Sequence, residues 1–219
     1  VQLHSRKRYK HCLRRYPRRS LALWLCIAHE LVVFLGVVPR PHVSPRDPRL
    51  LAARVLQRPD TPLGARGVEQ ARRLAVHLAD AEIVHILSSD LVRAEQTARA
   101  LQATTAATFE FESLLQERNF GDLRGTAYAD LDEDPFQPGY SPPGGENGER
   151  FLARVEQAWT RIVAAASGLD GSLAVVTHGL VLQSITLHHV ARADVKEVPD
   201  SPLRFRNTSY SVVEGPNPW

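Results

Sequence analysis

The feature that most constrains the fold is an alternation of two sequence patterns, which begins near residue 54 and continues toward the end of the chain. Apolar runs of about four to eight residues are typical of buried strands, and apolar side chains that recur roughly every three or four residues are typical of helices. Strands that alternate with helices predict an α/β protein, a three-layer α/β/α sandwich with a mostly parallel central sheet. The predicted strands span 83–87, 108–112, 172–177 and one or two segments of 204–213, and the predicted helices begin at Thr61, after Ser88-Ser89-Asp90, after residue 148 and at Gly179.

Composition excludes several other classes of protein. The chain has 219 residues, of which 43% are hydrophobic and 23% charged, so it is long enough to bury one large core. This excludes a disordered chain, a collagen-like chain and a membrane protein with many spans. Cys12 and Cys26 are the two cysteines, too few for a disulfide scaffold and not in the spacing of a metal or redox motif.

The positive charge of the chain is concentrated at its start. The formal net charge is +3, but residues 1–20 hold eight Lys and Arg side chains and no acidic one, which leaves 19 basic and 24 acidic side chains in residues 21–219. We expect residues 1–20 to form a disordered arm, and we expect no nucleic-acid partner; binding of nucleic acid or lipid through the arm is the alternative. The sequence has no Met, which favours a chain that is not a complete reading frame.

The segment from 21 to 38 is mostly apolar and is interrupted by His29-Glu30. It can form one or two buried parallel strands, over 21–28 and 31–38, or it can be a signal peptide or anchor after the basic arm. A glutamate near the centre of a spanning helix costs about 2.5–3.5 kcal/mol, so we favour strands and expect no membrane span. The predicted organisation is therefore the arm over 1–20, followed by a single domain over 21–219.

Two predicted junctions between a strand and a helix carry side chains suited to an anion. Arg93 falls in the first turn of the helix after Ser88-Ser89-Asp90, and His178-Gly179 stands where a buried strand meets the next helix. Ligands of open α/β sheets bind at such junctions, and the N–H groups of a helix N-terminus favour negative charge. Arginine, histidine and helix N-terminus together outline a phosphate pocket. Taken singly, Arg93 is as consistent with a surface ion pair as with a phosphate ligand. His178 is likewise as consistent with a structural histidine as with a site residue.

Six motifs, in the same order, resemble those of the histidine phosphatase (phosphoglycerate mutase-like) superfamily. They extend over about residues 54–213, three quarters of the chain. The motifs are the segment from Arg54 to Leu63 with Gly67 and Gln70-Ala71, the segment Ser88-Ser89-Asp90-Leu91-Val92-Arg93-Ala94-Glu95-Gln96-Thr97-Ala98, Gln116-Glu117-Arg118-Asn119-Phe120-Gly121, Pro143-Gly144-Gly145-Glu146, Val176-Thr177-His178-Gly179 and Asn207-Thr208-Ser209.

The resemblance implies transfer of a phosphoryl group through a phosphohistidine, without cofactor or metal. By motif, Arg93 corresponds to a phosphate clamp, His178 to the second active-site histidine and Glu117 to the proton donor, while Arg54 and Gly179 fall in substrate-binding motifs. A phosphoryl transition state spreads negative charge over its oxygens, so positive groups and positioning supply most of the catalysis. A carboxyl group can donate the proton if burial or a nearby anion raises its pKa.

The nucleophilic Arg-His-Gly motif of the family is absent from this sequence. His42 is one candidate nucleophile, because it lies 12 residues before Arg54, close to the usual family separation, although prolines surround it. His29 is another, because it follows an apolar segment. The third possibility is that neither histidine is the nucleophile. The chain would then be a catalytically impaired relative, or its start would be damaged.

The expected function is hydrolysis of a small phosphorylated metabolite, by a cytoplasmic monomer or homodimer. A mutase-like phosphotransferase is an alternative, which we favour less because family mutases usually have a longer segment between the glutamate motif and the last strands. A non-catalytic relative that keeps the fold is the other alternative, and the absent motif supports it.

Overall fold

The computed structural model describes residues 30–37, 55–189 and 208–215. The predicted arm over 1–20 and the predicted strand over 21–28 lie outside these residues. The described strands are β1 (Glu30–Val37), β2 (Ile83–Ser88), β3 (Thr108–Phe111), β4 (Ser172–His178) and β5 (Ser209–Gly215), and the described helices are α1 (Ala65–His77), α2 (Val92–Gln102), α3 (Gly148–Ala166) and α4 (Gly179–His188).

The described strands form one sheet with the order β3-β2-β4-β1-β5. Neighbours from β3 to β1 pair in parallel, and β5 pairs with β1 in the antiparallel sense. Every residue of β4 is buried, because this central strand is covered on both faces. This arrangement confirms the predicted mostly parallel sheet.

Successive side chains of β4 point to opposite faces of the sheet and contact different helices. Leu173 and Val175 pack in one cluster with side chains of α3 and α4. Ala174 and Val176 pack in a second cluster with side chains of α1 and α2. The sheet therefore lies between two helical layers, as the sequence predicts.

Helix α3 illustrates how the sequence pattern produces the packing. Asn147 caps the helix, since its side-chain oxygen accepts a hydrogen bond from the Arg150 N–H at 2.9 Å. The predicted apolar face is buried, and full burial of one such side chain contributes about 1.5–3 kcal/mol. This face consists of Phe151, Val155, Trp159 and Ile162.

Some predicted boundaries differ from the observed ones. The predicted strand over 31–38 is confirmed as β1, but the helix predicted to begin at Thr61 begins at Ala65, because the Thr61 N–H closes a turn onto the Arg58 carbonyl. Helix α2 has Leu91 as its N-cap without a side-chain hydrogen bond, so the predicted cap by Ser88-Ser89-Asp90 is wrong. The Ser89 hydroxyl accepts a hydrogen bond from the Leu91 N–H, before the helix begins, and also contacts His178.

Among the described residues, no helix has the length and apolar character needed to cross a membrane.

Candidate active site

The carboxyl ends of three parallel strands meet at one edge of the sheet. β2 ends at Ser88, and α2 follows with Arg93 in its first turn. β4 ends at His178, which is also the N-cap residue of α4. The last residue of β1, Val37, lies opposite His178 in the sheet register. This edge is where open α/β sheets bind ligands.

His178 is buried and neutral at this edge. Its side chain is 1% exposed, and its Nε2 atom lies 2.9 Å from the Ser89 hydroxyl oxygen. Its Nδ1 atom has no hydrogen-bond partner within the described residues. Burial lowers the pKa of His178 well below its usual value, and the charges of Arg93 and Arg154 lower it further. The histidine therefore has one ring nitrogen fixed and the other available to a ligand.

Arg93 places a buried positive charge next to His178. It is 4% exposed, and its Nη1 group donates a hydrogen bond to the Arg58 carbonyl at 3.2 Å. Its Nε–H has no acceptor in the part of the chain that the structure describes. Burial lowers the pKa of Arg93, but a guanidinium keeps its proton in proteins. A bound anion would offset the cost of this desolvated charge.

Glu117 joins the loop after β3 to the first turn of α4. Its Oε2 atom accepts a hydrogen bond from the Leu180 N–H at 3.3 Å, and its Oε1 atom accepts one from the Arg118 N–H at 3.0 Å. Its negative charge also raises the pKa of Arg93, so the two groups interact. Arg93, Glu117 and His178 thus occupy the same edge of the sheet.

A second arginine holds the Glu117 loop in place. Arg154, on α3, binds both carboxylate oxygens of Glu146 at 2.7 and 2.8 Å. Its Nη1 group also donates to the carbonyls of Leu114 and Gln116, which flank the loop before Glu117. Two-pronged pairs of this kind are stronger than neutral hydrogen bonds and fix geometry. Sequence reasoning missed Arg154; its helical position was predictable, but its partners were not.

The loop itself needs a glycine at position 121. Gly121 has φ of +54°, and a Cβ atom there would overlap the Pro143 carbonyl oxygen. Its N–H is held by the Asn119 side chain at 2.9 Å. The two glycine-containing motifs of the loop region therefore pack directly against each other.

Two further arginines, also missed in the sequence, belong to this region. The Arg124 charge lowers the pKa of Arg93, which places the two guanidinium groups within electrostatic reach. The Arg58 carbonyl is the acceptor for Arg93. Arg93 and Arg124 therefore both bring positive charge to this region, and Glu117 offsets part of it.

His42, Arg54 and the alternative nucleophile His29 lie outside the described residues. Gly179 is the first residue of α4, directly after His178. Among the side chains that the structure describes, no group of three or more His, Cys, Asp or Glu residues is arranged to hold a metal ion.

Comparison with known proteins identifies the family. Residues 50–217 match the sequence profile of the histidine phosphatase superfamily (branch 1). The chain belongs to this superfamily. The resemblance of the motifs and the expected phosphoglycerate mutase-like fold are thereby confirmed.

The chain is similar to curated proteins whose names state activities that differ from one another. It is 33% identical to the fructose-2,6-bisphosphatase TIGAR of Xenopus tropicalis over 106 residues, which are 44% of this chain and 38% of that protein. It is 28% identical to a probable phosphoglycerate mutase, GpmB, of Salmonella choleraesuis over 174 residues, 74% of this chain and 77% of that protein. The chain spans only 38% of two Xenopus relatives and 56% of a probable phosphatase of Schizosaccharomyces pombe.

Among solved structures, the mycobacterial glucosyl-3-phosphoglycerate phosphatase superposes with a TM-score of 0.63 at 24% identity. The superposition covers 85% of this chain and 91% of that one. At this identity the likeness shows the fold.

Proposed function

We propose that this chain hydrolyses a small phosphomonoester through a phosphohistidine intermediate. One observation carries the proposal: two buried groups at the carboxyl edge of the sheet, the Arg93 Nε–H and the His178 Nδ1 atom, have no partner among the described residues. Buried polar groups are normally hydrogen-bonded, so this pair fits a site that an anion completes. The transferring phosphoryl group is such an anion.

The residues at the edge suit distinct roles in the reaction. Arg93 clamps the phosphoryl oxygens, and His178 contacts the same group on another side. Glu117 is held by the α4 N-terminus and acts as the proton donor. Arg54 and Gly179 complete the binding site in this proposal. No cofactor or metal takes part.

The direction of β1 favours His42 as the nucleophile. β1 begins one residue after His29, and its carboxyl end lies beside His178, five residues before His42. A strand of eight residues spans about 26 Å. The segment that contains His42 therefore leaves the strand at the edge where Arg93 and His178 lie, whereas His29 precedes the strand at its other end.

The chemical steps balance with these groups. A ring nitrogen of His42 forms a bond to phosphorus as the ester P–O bond breaks, and the leaving oxygen takes a proton from the Glu117 carboxyl. Water then attacks the phosphorus, the N–P bond to His42 breaks, and a proton of the water passes to the Glu117 carboxylate. Inorganic phosphate leaves, and both side chains return to their starting states.

Release of phosphate from p-nitrophenyl phosphate tests the proposal. Arg93→Gln should lower kcat/KM by at least about 100-fold, the usual effect of removing one donor to a transition-state charge. Arg99→Gln, on the exposed side of the same helix, removes one positive charge away from the site and should keep wild-type activity. Equal activity of the Arg93→Gln variant and the wild type would contradict the proposal.

The competing proposal is a non-catalytic relative that binds phosphate. The absence of an Arg-His-Gly motif favours it. It predicts that inorganic phosphate raises the Tm of the wild type but not of Arg93→Gln, with no phosphate released from any ester. Release of phosphate that depends on both Arg93 and His178 excludes this reading.

A further inference from the structure

The hydroxyl of Thr177 joins the strand that ends at His178 to the segment that carries Glu117. Its Oγ1 atom donates a hydrogen bond to the Leu115 carbonyl at 2.8 Å, although the two residues are 62 positions apart in the chain. Both residues are fully buried. Thr177 directly precedes His178, and Leu115 lies just before Gln116 and Glu117. One buried hydrogen bond therefore links the neighbours of two predicted site residues.

The segment before Glu117 is held at three consecutive carbonyls, those of residues 114–116. The Nη1 group of Arg154, on α3, donates to the first at 2.7 Å and to the third at 2.8 Å. Thr177, on β4, donates to the second. Because β4 ends at His178, the Thr177 bond fixes the segment relative to the tip of this strand, whereas the Arg154 bonds fix it relative to α3.

The Glu117 carboxylate is sensitive to the position of this segment, because its hydrogen bond to α4 is long. Its Oε2 atom accepts from the Leu180 N–H at 3.3 Å, beyond the usual range of about 2.7–3.2 Å for such bonds. Its Oε1 atom accepts from the adjacent Arg118 N–H, which belongs to the same segment and moves with it. A small shift of the segment would therefore break the contact of Glu117 with α4.

We propose that Thr177 is a positioning residue for the proton donor: its hydroxyl holds the segment 114–116 at the strand tip, so that the Glu117 carboxyl reaches the leaving oxygen of the phosphomonoester. This inference rests on the proposed phosphatase function and deepens it. Thr177 does not touch the substrate in this role and acts through Glu117. Loss of its hydroxyl should therefore slow cleavage of the ester P–O bond only as far as that step needs a proton.

Two substrates that differ in their leaving group test this role. The p-nitrophenolate ion is weakly basic and can leave without a proton, whereas the alkoxide of glycerol 3-phosphate is strongly basic and needs one. General acid catalysis contributes about 10²–10⁴-fold, so Thr177→Val should lower kcat/KM for glycerol 3-phosphate by at least about tenfold and for p-nitrophenyl phosphate by less than about threefold. A purely structural role, such as a smaller folded fraction, would lower both values by the same factor.

Ser172→Ala is the matched control. Ser172 is buried at the other end of β4, and its hydroxyl donates to the Ala81 carbonyl at 2.8 Å, again between distant segments. This variant should lower the Tm, as Thr177→Val does, because a buried carbonyl loses its donor. It should leave the ratio of the two kcat/KM values unchanged. Thr177→Ser keeps the hydroxyl and should restore most of the activity toward glycerol 3-phosphate.

A double variant tests whether Thr177 acts through Glu117. Effects of residues that act through one group are not additive, so Thr177→Val combined with Glu117→Gln should be no slower toward glycerol 3-phosphate than Glu117→Gln alone. A further loss in the double variant, or equal losses for the two substrates in Thr177→Val, would overturn the proposal.

Amide hydrogen exchange separates this inference from the phosphatase function, because it needs no turnover. The Leu180 N–H donates to Glu117, so it should exchange faster in Thr177→Val than in the wild type, and at the wild-type rate in Ser172→Ala. If the wild type hydrolyses neither substrate but the exchange depends on Thr177, the phosphatase function fails and the positioning of Glu117 stands. If both substrates are hydrolysed while neither the exchange nor the ratio of kcat/KM values depends on Thr177, the positioning fails and the phosphatase function stands.

Discussion

The pKa of buried His178 predicts how the stability of the protein depends on pH. Because the folded state holds this histidine neutral, its pKa there lies well below the value of about 6.5 expected for the unfolded chain. The unfolded state therefore takes up a proton first as the pH falls. Stability is highest above about pH 6.5 and declines below it until the folded pKa is reached.

The size of this effect follows from one proton. A single group that binds a proton only in the unfolded state contributes a slope of about 1.4 kcal/mol per pH unit. Between pH 7 and pH 5.5, with an unfolded pKa of about 6.5, the loss in the free energy of unfolding is on the order of 1 kcal/mol. Bound phosphate should weaken the effect, because a nearby anion favours the protonated imidazole.

Urea denaturation at a series of pH values measures this contribution. The wild type should lose on the order of 1 kcal/mol more than His178→Gln over this interval. His189→Gln is the matched control: burial also lowers its pKa, but the Glu156 carboxylate 3.4 Å away opposes the shift, so its effect should be smaller. Parallel pH curves for the wild type and His178→Gln would show that His178 is not a buried neutral group.

Three further predictions concern the site and its supporting loop. Arg154→Gln should lower the free energy of unfolding by about 2–3 kcal/mol and reduce phosphatase activity, because Glu146 and two carbonyls lose their donor; unchanged stability in urea denaturation would refute the role of this arginine. Gly121→Ala should cost at least about 2 kcal/mol, since both the positive φ and the Pro143 carbonyl oppose a side chain; a neutral change would show that the loop packs differently. Phosphate release should persist in the presence of EDTA. If EDTA abolished the activity and a divalent ion restored it, the metal-free mechanism would be wrong.

The parts of the fold that depend on local pattern could be predicted from the sequence. β4 and the helix after it are a continuous apolar run followed by His178-Gly179, and the buried face of α3 follows a helical period. Each of these features can be predicted from the side chains of a single segment. The helical layers on the two faces of the sheet then follow from general rules for α/β proteins, whereas the strand order was not predicted.

The remaining features depend on contacts between distant segments. Ser89 was expected to cap α2, but a strand 89 residues later brings His178 to its hydroxyl. Arg93 donates to the carbonyl of Arg58, 35 residues earlier, and no local pattern in the sequence indicates this contact. The positions of His42 and Arg54 remain predictions, as do the arm over 1–20 and the cytoplasmic location.

The central claim is that a phosphoryl group is transferred to a histidine at this edge of the sheet. Its most direct test is to mix the protein with substrate, stop the reaction at alkaline pH, where phosphohistidine survives, and map the modified peptide by mass spectrometry. The account predicts phosphorylation of His42 that disappears in His42→Ala and in Arg93→Gln and persists in His29→Ala. Phosphate release without a phosphorylated histidine, or a phosphoryl group on His29, would contradict it.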